Sequence, residues 1–285
     1  LEGKGGGAGH TTRRLEQGRR PDCVRRPAGD GNMDATVTPA PGTTGAGTAA
    51  PRLSVVMPAY NEAANIEGAI DDVVTHVFAV VPDAELVVVD DGSRDDTRAI
   101  AAACAERDHR IRVVSQPNAG HGPALVRGLR AARGDYCLLL DSDRQIGLTE
   151  FAGTWRLAQG CDAVLGVRRD RDDPRHRLLL TVALRAFLRR GLGVDAVDAN
   201  VPYKLVRRAV VGAALDAMPL EPQVPSILLT VYLSRRRVPT VQQPVPHFAR
   251  RGGVTTLRYL RLARFCRAAT REVLHFHRHL DREPR

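Results

Sequence analysis

The stretch Leu138-Leu139-Leu140-Asp141-Ser142-Asp143-Arg144-Gln145 runs an apolar segment into two carboxylates spaced i, i+2, with a carboxamide two residues further on. If the apolar segment is a buried strand, its period of two delivers Asp141 and Asp143 to the same side of the chain. Two hard oxygen donors at a strand's carboxyl end suit Mg²⁺ or Mn²⁺ carrying a diphosphate. Alone, the same residues also make an ordinary solvated turn. Two further polar clusters bear on the choice: Pro58-Ala59-Tyr60-Asn61-Glu62, and Asp90-Asp91-Gly92-Ser93-Arg94-Asp95-Asp96-Thr97. Either can be turn and cap chemistry, since Ser93 or Asp95 would cap a following helix well. A metal with a nucleotide accounts for all three clusters with one ligand, provided that they share one edge of one sheet.

The hydrophobic pattern predicts that they do. Strands are expected over 53–57, 85–89, 111–115, 136–140 and 161–167, and helices over 62–80, 95–107 and 122–133. Apolar strands alternating with helices imply an α/β fold whose mostly parallel sheet is covered on both faces. In such sheets ligands bind beyond the carboxyl ends of the strands. No Gly-Lys-Ser/Thr phosphate loop occurs, and no Gly-x-Gly-x-x-Gly follows the first strand. The segment 254–280 reads as one helix with Arg258, Arg261, Arg264, Arg267 and Arg271 on one half and Tyr259, Leu262, Cys266, Val273 and Leu274 on the other. Its apolar half either packs on the domain or lies on an anionic bilayer.

Composition sets the outer limits. The 285 residues carry a net charge of +10, from 42 Lys plus Arg against 32 Asp plus Glu, and nearly all of the basic residues are arginine. That balance points to phosphates, although a GC-rich coding sequence would also favour arginine. Aromatics make up only 4%, which argues against stacking on nucleic acid, as do the acidic strand ends. Five cysteines without a Cys-x-x-Cys pair suit a reduced, cytoplasmic chain. No apolar run reaches the roughly 18 residues that span a bilayer, and the opening residues do not read as a signal peptide. Residues 1–51 lack any hydrophobic period and are expected to be a disordered extension, with 1–32, upstream of Met33, set aside as non-native.

At this point the residues resemble a known family. Pro58 to Glu62, Val89-Asp90-Asp91-Gly92-Ser93 with Asp95 and Thr97, Asn118-x-Gly120-x-Gly122 and Asp141-x-Asp143 look like the family 2 glycosyltransferases of GT-A fold. Within that family, four features are similar to dolichyl-phosphate mannose synthases and bacterial polyprenyl-phosphate glycosyltransferases. They are Gln145 after the Asp pair; the arginine-rich run Gly166, Arg168, Arg171, Asp173-Pro174, Arg177 with Thr181; Asp198 with Tyr203-Lys204 and Arg207-Arg208; and His247, Arg250, Gly253 with Thr255. Arg144 and Asn200-Val201 depart from the usual pattern.

The resemblance implies a metal-dependent, inverting hexosyltransferase over residues 52–253, with a Rossmann-like sheet and a basic, acceptor-side helix and tail over 254–285. The donor would be a GDP- or UDP-linked sugar and the acceptor a polyprenyl phosphate met at the cytoplasmic face of the membrane. Asp141, Asp143 and Gln145 would hold Mg²⁺ or Mn²⁺. Pro58, Tyr60, Glu62, Val89, Asp91, Asp141 and Ser142 would line the nucleotide sugar. Arg168, Arg177, Thr181 and Arg250 would bind the acceptor phosphate, which places Asp143, Arg168 and Arg177 in the catalytic set.

A phosphate acceptor needs no general base, because it is already mostly a dianion at neutral pH, whereas a hydroxyl acceptor would need one. The alternatives are a family 2 enzyme with a hydroxyl acceptor, where Asp198 is the candidate base, and a non-catalytic nucleotide binder on the same fold. Lys204 either touches a phosphate or pairs with Asp198. His121 and His247 read as loop histidines, and no cluster has zinc spacing.

Overall fold

The computed structural model describes residues 52–169, 175–248 and 259–282. The extension over 1–51 and the segment around Arg250 lie outside these residues. The strands are β1 Leu53–Ala59, β2 Ala84–Asp90, β3 Ile111–Ser115, β4 Tyr136–Leu140, β5 Ala163–Arg169, β6 Tyr203–Arg207 and β7 Thr240–Pro246. The helices are α1 Ile66–Val73, α2 Thr97–Arg107, α3 His121–Ala131, α4 Phe151–Ala158, α5 Arg175–Ala186, α6 Arg208–Ala217, α7 Pro225–Arg235 and α8 Tyr259–Arg282. One π-helical turn, Val74–Phe78, continues α1, and another, Phe187–Gly191, continues α5.

All seven strands join one mixed sheet in the order β3-β2-β1-β4-β6-β5-β7. The pairs β1–β2, β1–β4, β2–β3 and β5–β7 are parallel, and β6 runs antiparallel to both neighbours. Strand periodicity explains how the sheet is covered. Val55, Met57 and Leu138 face one side, against Ile70 of α1, Cys104 of α2 and Trp155 of α4. Val56, Cys137 and Leu139 face the other, against Leu129 of α3, Leu215 of α6, Leu228 of α7 and Phe276 of α8. Alternate residues thus bury on opposite faces, the arrangement a parallel sheet requires. The lone Trp155 is a packing residue, edge-on to Tyr136 with ring centroids 5.5 Å apart.

The structure departs from the pattern-based expectation at α1, β5, β6 and β7, and adds helices α4, α6 and α7. Helix α1 starts at Ile66 rather than residue 62, because Asn61 adopts a left-handed φ of 52° and Glu62 is spent in the preceding loop. β5 is shifted two residues on, which carries Arg168 and Arg169 to its carboxyl end. Strands β6 and β7 were not expected. β6 has a lysine at its centre, and β7 is an edge strand holding Gln242, Gln243 and Pro244, which carry little strand signal.

A buried polar knot joins β1 and β2 at the edge away from the acidic clusters. Ser54 donates to Glu85 at 2.6 Å and accepts from the backbone N–H groups of Arg133 and Gly134 at 3.1 and 2.8 Å. The second Glu85 oxygen accepts from Arg112 Nε at 2.9 Å. Ser54→Ala would leave these buried groups short of partners. We expect a loss of about 1–3 kcal/mol in urea unfolding, with nucleotide affinity unchanged; an unaltered midpoint would show that the knot contributes nothing.

Candidate active site

Topology brings the predicted residues to one edge. From β1 the chain crosses to β2 on one side, while β4 flanks β1 on the other, so a crevice opens between the carboxyl ends of β1 and β4. β5 and β7 point the same way, because each is separated from β4 by the single antiparallel strand β6 or parallel to such a strand. The loop entering β6 therefore sits at the same edge, with Tyr203 paired to Leu140.

On the β1–β2 side, two loops are laced together. Asn61 N–H donates to Ser93 Oγ at 3.1 Å and Asn61 Oδ1 accepts from Arg94 N–H at 2.8 Å. Glu62 N–H donates to Thr97 Oγ1 at 2.8 Å, and the Glu62 carboxylate accepts from Asn65. Tyr60 stands exposed beside them. Val89 has its side chain in the core with Ala124. Buried Asp91 accepts from Gln116 Nε2 at 2.7 Å and from the N–H groups of Ala119 and Gly120, both at 2.9 Å. Ser142, also buried, donates its hydroxyl to Pro58 O at 3.1 Å and ties the ends of β4 and β1 together.

Asp141 faces the crevice and lies 3.1 Å from His121 Nε2, at the first position of α3. Burial disfavours the His121 cation, but Asp141, joined by Asp143 and Asp91, outweighs it and raises the imidazole above its ordinary range. The ring is 57% exposed, so solvent reaches it through the cavity mouth. His121 is thus a site residue that the loop-histidine reading missed; its position just after the Asn118-x-Gly120 motif was the available signal. Asp143 accepts from Gln145 N–H at 3.1 Å, and Gln145 Nε2 reaches Phe248 O at 3.4 Å. Residues 145–147 pair with 246–248, which brings buried His247 alongside.

A cavity of about 1070 Å³ extends from His121, Asp141 and Gln145 past Arg168, Thr181 and Asp198. Its far walls are largely apolar, with Leu184 of α5, Phe187 of the π turn, and Phe265 and Val273 of α8, and also carry Arg185 and Thr270. Arg168 donates from Nε and Nη2 to the two oxygens of Asp198 at 2.7 and 2.9 Å. The helical position of Arg177 in α5 is described without its side chain, and Arg250 lies outside the described residues. At the cavity's rim Gly122 meets the 222–223 backbone so closely that a Cβ would overlap Pro222 O. Gln223 N–H in turn donates to the Glu272 carboxylate of α8 at 3.0 Å. Buried Val273, Phe276 and Leu280 pack α8 on the domain, while Arg264, Arg267 and Arg271 remain exposed.

Residues 54–210 match the family model described as "Glycosyl transferase family 2". The chain belongs to glycosyl transferase family 2. Among curated relatives, it is 33% identical over 167 residues to the undecaprenyl-phosphate 4-deoxy-4-formamido-L-arabinose transferase of Shewanella sediminis, covering 58% of this chain and 50% of that protein. It is 29% identical over 218 residues to the protein of that name from Pectobacterium carotovorum, covering 74% and 64%. The chain therefore spans about half to two thirds of the length of these relatives. Among solved structures, glucosyl-3-phosphoglycerate synthase from Mycobacterium tuberculosis, with Mn²⁺, UDP-glucose and phosphoglyceric acid, is similar with a TM-score of 0.60 at 27% identity over 80% of each chain. The sheet and its helices are the GT-A fold.

In this family 2 chain Lys204 neither pairs directly with Asp198 nor reaches the cavity. Fully buried, its Nζ donates to Ala199 O at 3.1 Å, Val201 O at 2.7 Å and Ser226 Oγ at 2.5 Å, stapling the Asp198 loop to α7. Burial pushes the ammonium down from 10.5 to about 7, against the pull of Asp198. Between those values the unfolded chain holds a proton that the folded chain lacks, so this group makes stability rise with pH across the window. Comparing wild type with Lys204→Met by urea unfolding at both ends of the window should show wild type gaining on the variant as pH rises. A difference flat in pH would mean that the ammonium is not depressed.

Proposed function

We propose that this chain is a metal-dependent, inverting glycosyltransferase that moves a sugar from a nucleoside-diphosphate sugar to a polyprenyl phosphate. The observation that carries the reading is the single cavity running from Asp141 and Gln145, past Arg168 and Thr181, to an apolar wall on α5 and α8. Each stretch suits one part of the reaction: diphosphate, acceptor phosphate, prenyl chain. The undecaprenyl-phosphate specificity in the names of the relatives supports it.

The donor set fits a hard divalent cation. Asp141, Asp143 and Gln145 supply oxygen donors, and Asp141 and Gln145 line the cavity. Among the described residues no three His, Cys, Asp or Glu side chains are grouped to hold a metal alone. That suits an ion which takes its remaining ligands from substrate phosphates. Bound Mg²⁺ or Mn²⁺ would offset the charge growing on the departing diphosphate. Solved relatives contain Mn²⁺ with UDP, which supports the assignment without choosing between the two ions or between UDP and GDP.

In this reading Pro58, Tyr60 and Glu62 frame the nucleotide with the backbone at Val89, and Asp91 and Ser142 brace that frame from behind. Arg168, Arg177, Thr181 and Arg250 receive the acceptor phosphate. A phosphate oxygen attacks the anomeric carbon from the face opposite the diphosphate, the new C–O bond forms as the bond to the diphosphate breaks, and configuration inverts. No side chain need take a proton, since the acceptor is already anionic. Among the described residues no helix is long and apolar enough to cross a membrane. The lipid acceptor would be met at the cytoplasmic surface, with the exposed arginines of α8 toward anionic head groups.

A second reading has one observation in its favour: the similar solved structures hold phosphoglyceric acid or glycerol 3-phosphate, small soluble molecules bearing hydroxyls. A hydroxyl acceptor would need a base, and Asp198 is the candidate. Its side chain is only 4% exposed and held by both guanidinium donors of Arg168, which favours the phosphate acceptor.

The test is a panel of UDP- and GDP-sugars offered with undecaprenyl phosphate or 3-phosphoglycerate, with products read by mass. A sugar-phosphate lipid is expected, formed only with divalent metal and lost in Asp143→Asn. Full turnover in excess EDTA would remove the metal assignment, and product only from phosphoglycerate would favour the second reading. Arg177→Ala should lower acceptor kcat/KM roughly ten- to a hundredfold, the equivalent of one charge-assisted hydrogen bond, and leave donor affinity unchanged. Lost donor affinity would assign Arg177 to the diphosphate instead.

A further inference from the structure

Arg144 separates Asp143 from Gln145 and occupies the left-handed region, with φ 58°. A side chain with a Cβ rarely adopts that conformation, because the Cβ crowds the backbone. The conformation persists only where surroundings impose it. Here the imposing contact reaches across to α1. Arg144 Nε donates to Asp72 Oδ2 at 2.8 Å and Nη2 to Asp72 Oδ1 at 3.0 Å, a planar two-point match. Asp72 and Gly68 lie one turn apart on the same face of α1. The guanidinium lies over Gly68 so closely that a Cβ there would overlap it. Sequence neighbours of Arg144 are tied as well: Ser142 to Pro58 O, and Gln145 N–H to Asp143.

We propose that Asp72 and Arg144 form a positioning clamp that fixes the turn presenting Asp143 and Gln145. This rests on the reading of that turn as the metal site. Arg144 touches neither metal nor substrate in this role. It holds the backbone in the one conformation from which the residues on both sides face the diphosphate, and Asp72 supplies the force that keeps it there. A fork is needed rather than a point charge, because two parallel hydrogen bonds fix orientation as well as distance.

The experiment titrates Mn²⁺ into the full chain with saturating UDP or GDP, whichever wild type binds, and follows affinity by calorimetry and Tm by scanning. Arg144→Gly accepts the positive φ without strain and deletes the clamp. It should keep Tm near wild type while Mn²⁺ affinity falls about tenfold, the lower end of what partners behind metal ligands contribute. Asp72→Ala should weaken Mn²⁺ similarly, and the double variant should be no weaker than either single one, since both remove the same interaction. Wild-type Mn²⁺ affinity in Arg144→Gly, additive losses in the double variant, or an affinity loss that merely tracks a fall in Tm would overturn the clamp. Asp143→Asn separates the two layers. If it abolishes Mn²⁺ binding while the clamp variants do not weaken it, only the clamp falls. If Asp143→Asn leaves Mn²⁺ affinity intact, the metal reading fails and the clamp with it.

Discussion

A buried carboxylate must be neutralised or hydrogen-bonded, and Asp91 shows what the fold builds to meet that demand. Its side chain is almost wholly enclosed, and three N–H donors from residues 116–120 converge on it. The price is a loop with no freedom left. Asn118 donates back to Asp91 O, and Gly92, at φ 69°, lies so close to Asn118 N that a side chain there would collide with it. Because α3 starts where this loop ends, the position of His121 and the floor of the cavity follow from one ion's need for partners. Removing Asp91 would release the start of α3 as well as a contact.

The Arg168–Asp198 side of the cavity is built on a different electrostatic plan. Asp198 is bonded to the Arg168 guanidinium at the cavity wall and pulls on the buried Lys204 amine behind it. Lys204 meets its burial with three oxygen acceptors, two of them backbone carbonyls of the loop that carries Asp198. The loop's path is thereby set by a buried amine that donates to it. Such an arrangement is costly to bury and more costly to break on one side only. It gives that cavity wall a fixed guanidinium.

The doubly wound half of the fold was largely legible in the amino-acid sequence. β3 and β4 fall where alternation and apolar runs put them, and β1 and β2 extend only one or two residues beyond. β1, β2 and β4 are buried on both faces, so there burial and sequence carry the same signal, and the edge strand β3 keeps an apolar run although it is only partly buried. The other half was harder for physical reasons. β6 is central yet holds a lysine, whose partners are two carbonyls of the loop just before it and a hydroxyl of α7, none of which a strand pattern records. β7 alternates weakly because it lies at the sheet's edge. The carboxylate pair at the end of β4 was readable from its spacing, but the contacts of Asp141 with His121, of Arg168 with Asp198 and of Arg144 with Asp72 join residues 20, 30 and 72 positions apart. No local pattern records such distances.

The contact of Gly122 with the Pro222 carbonyl divides the cavity into two kinds of wall. At that point backbone lies directly on backbone, and a side chain at residue 122 cannot be accommodated. Elsewhere Leu184, Phe187, Phe265 and Val273 present side chains from α5, its π turn and α8. For anyone redesigning this protein, the first is a fixed point and the second an adjustable wall. Single substitutions on α5 and α8 can alter what the cavity admits, while the Gly122 contact keeps its shape.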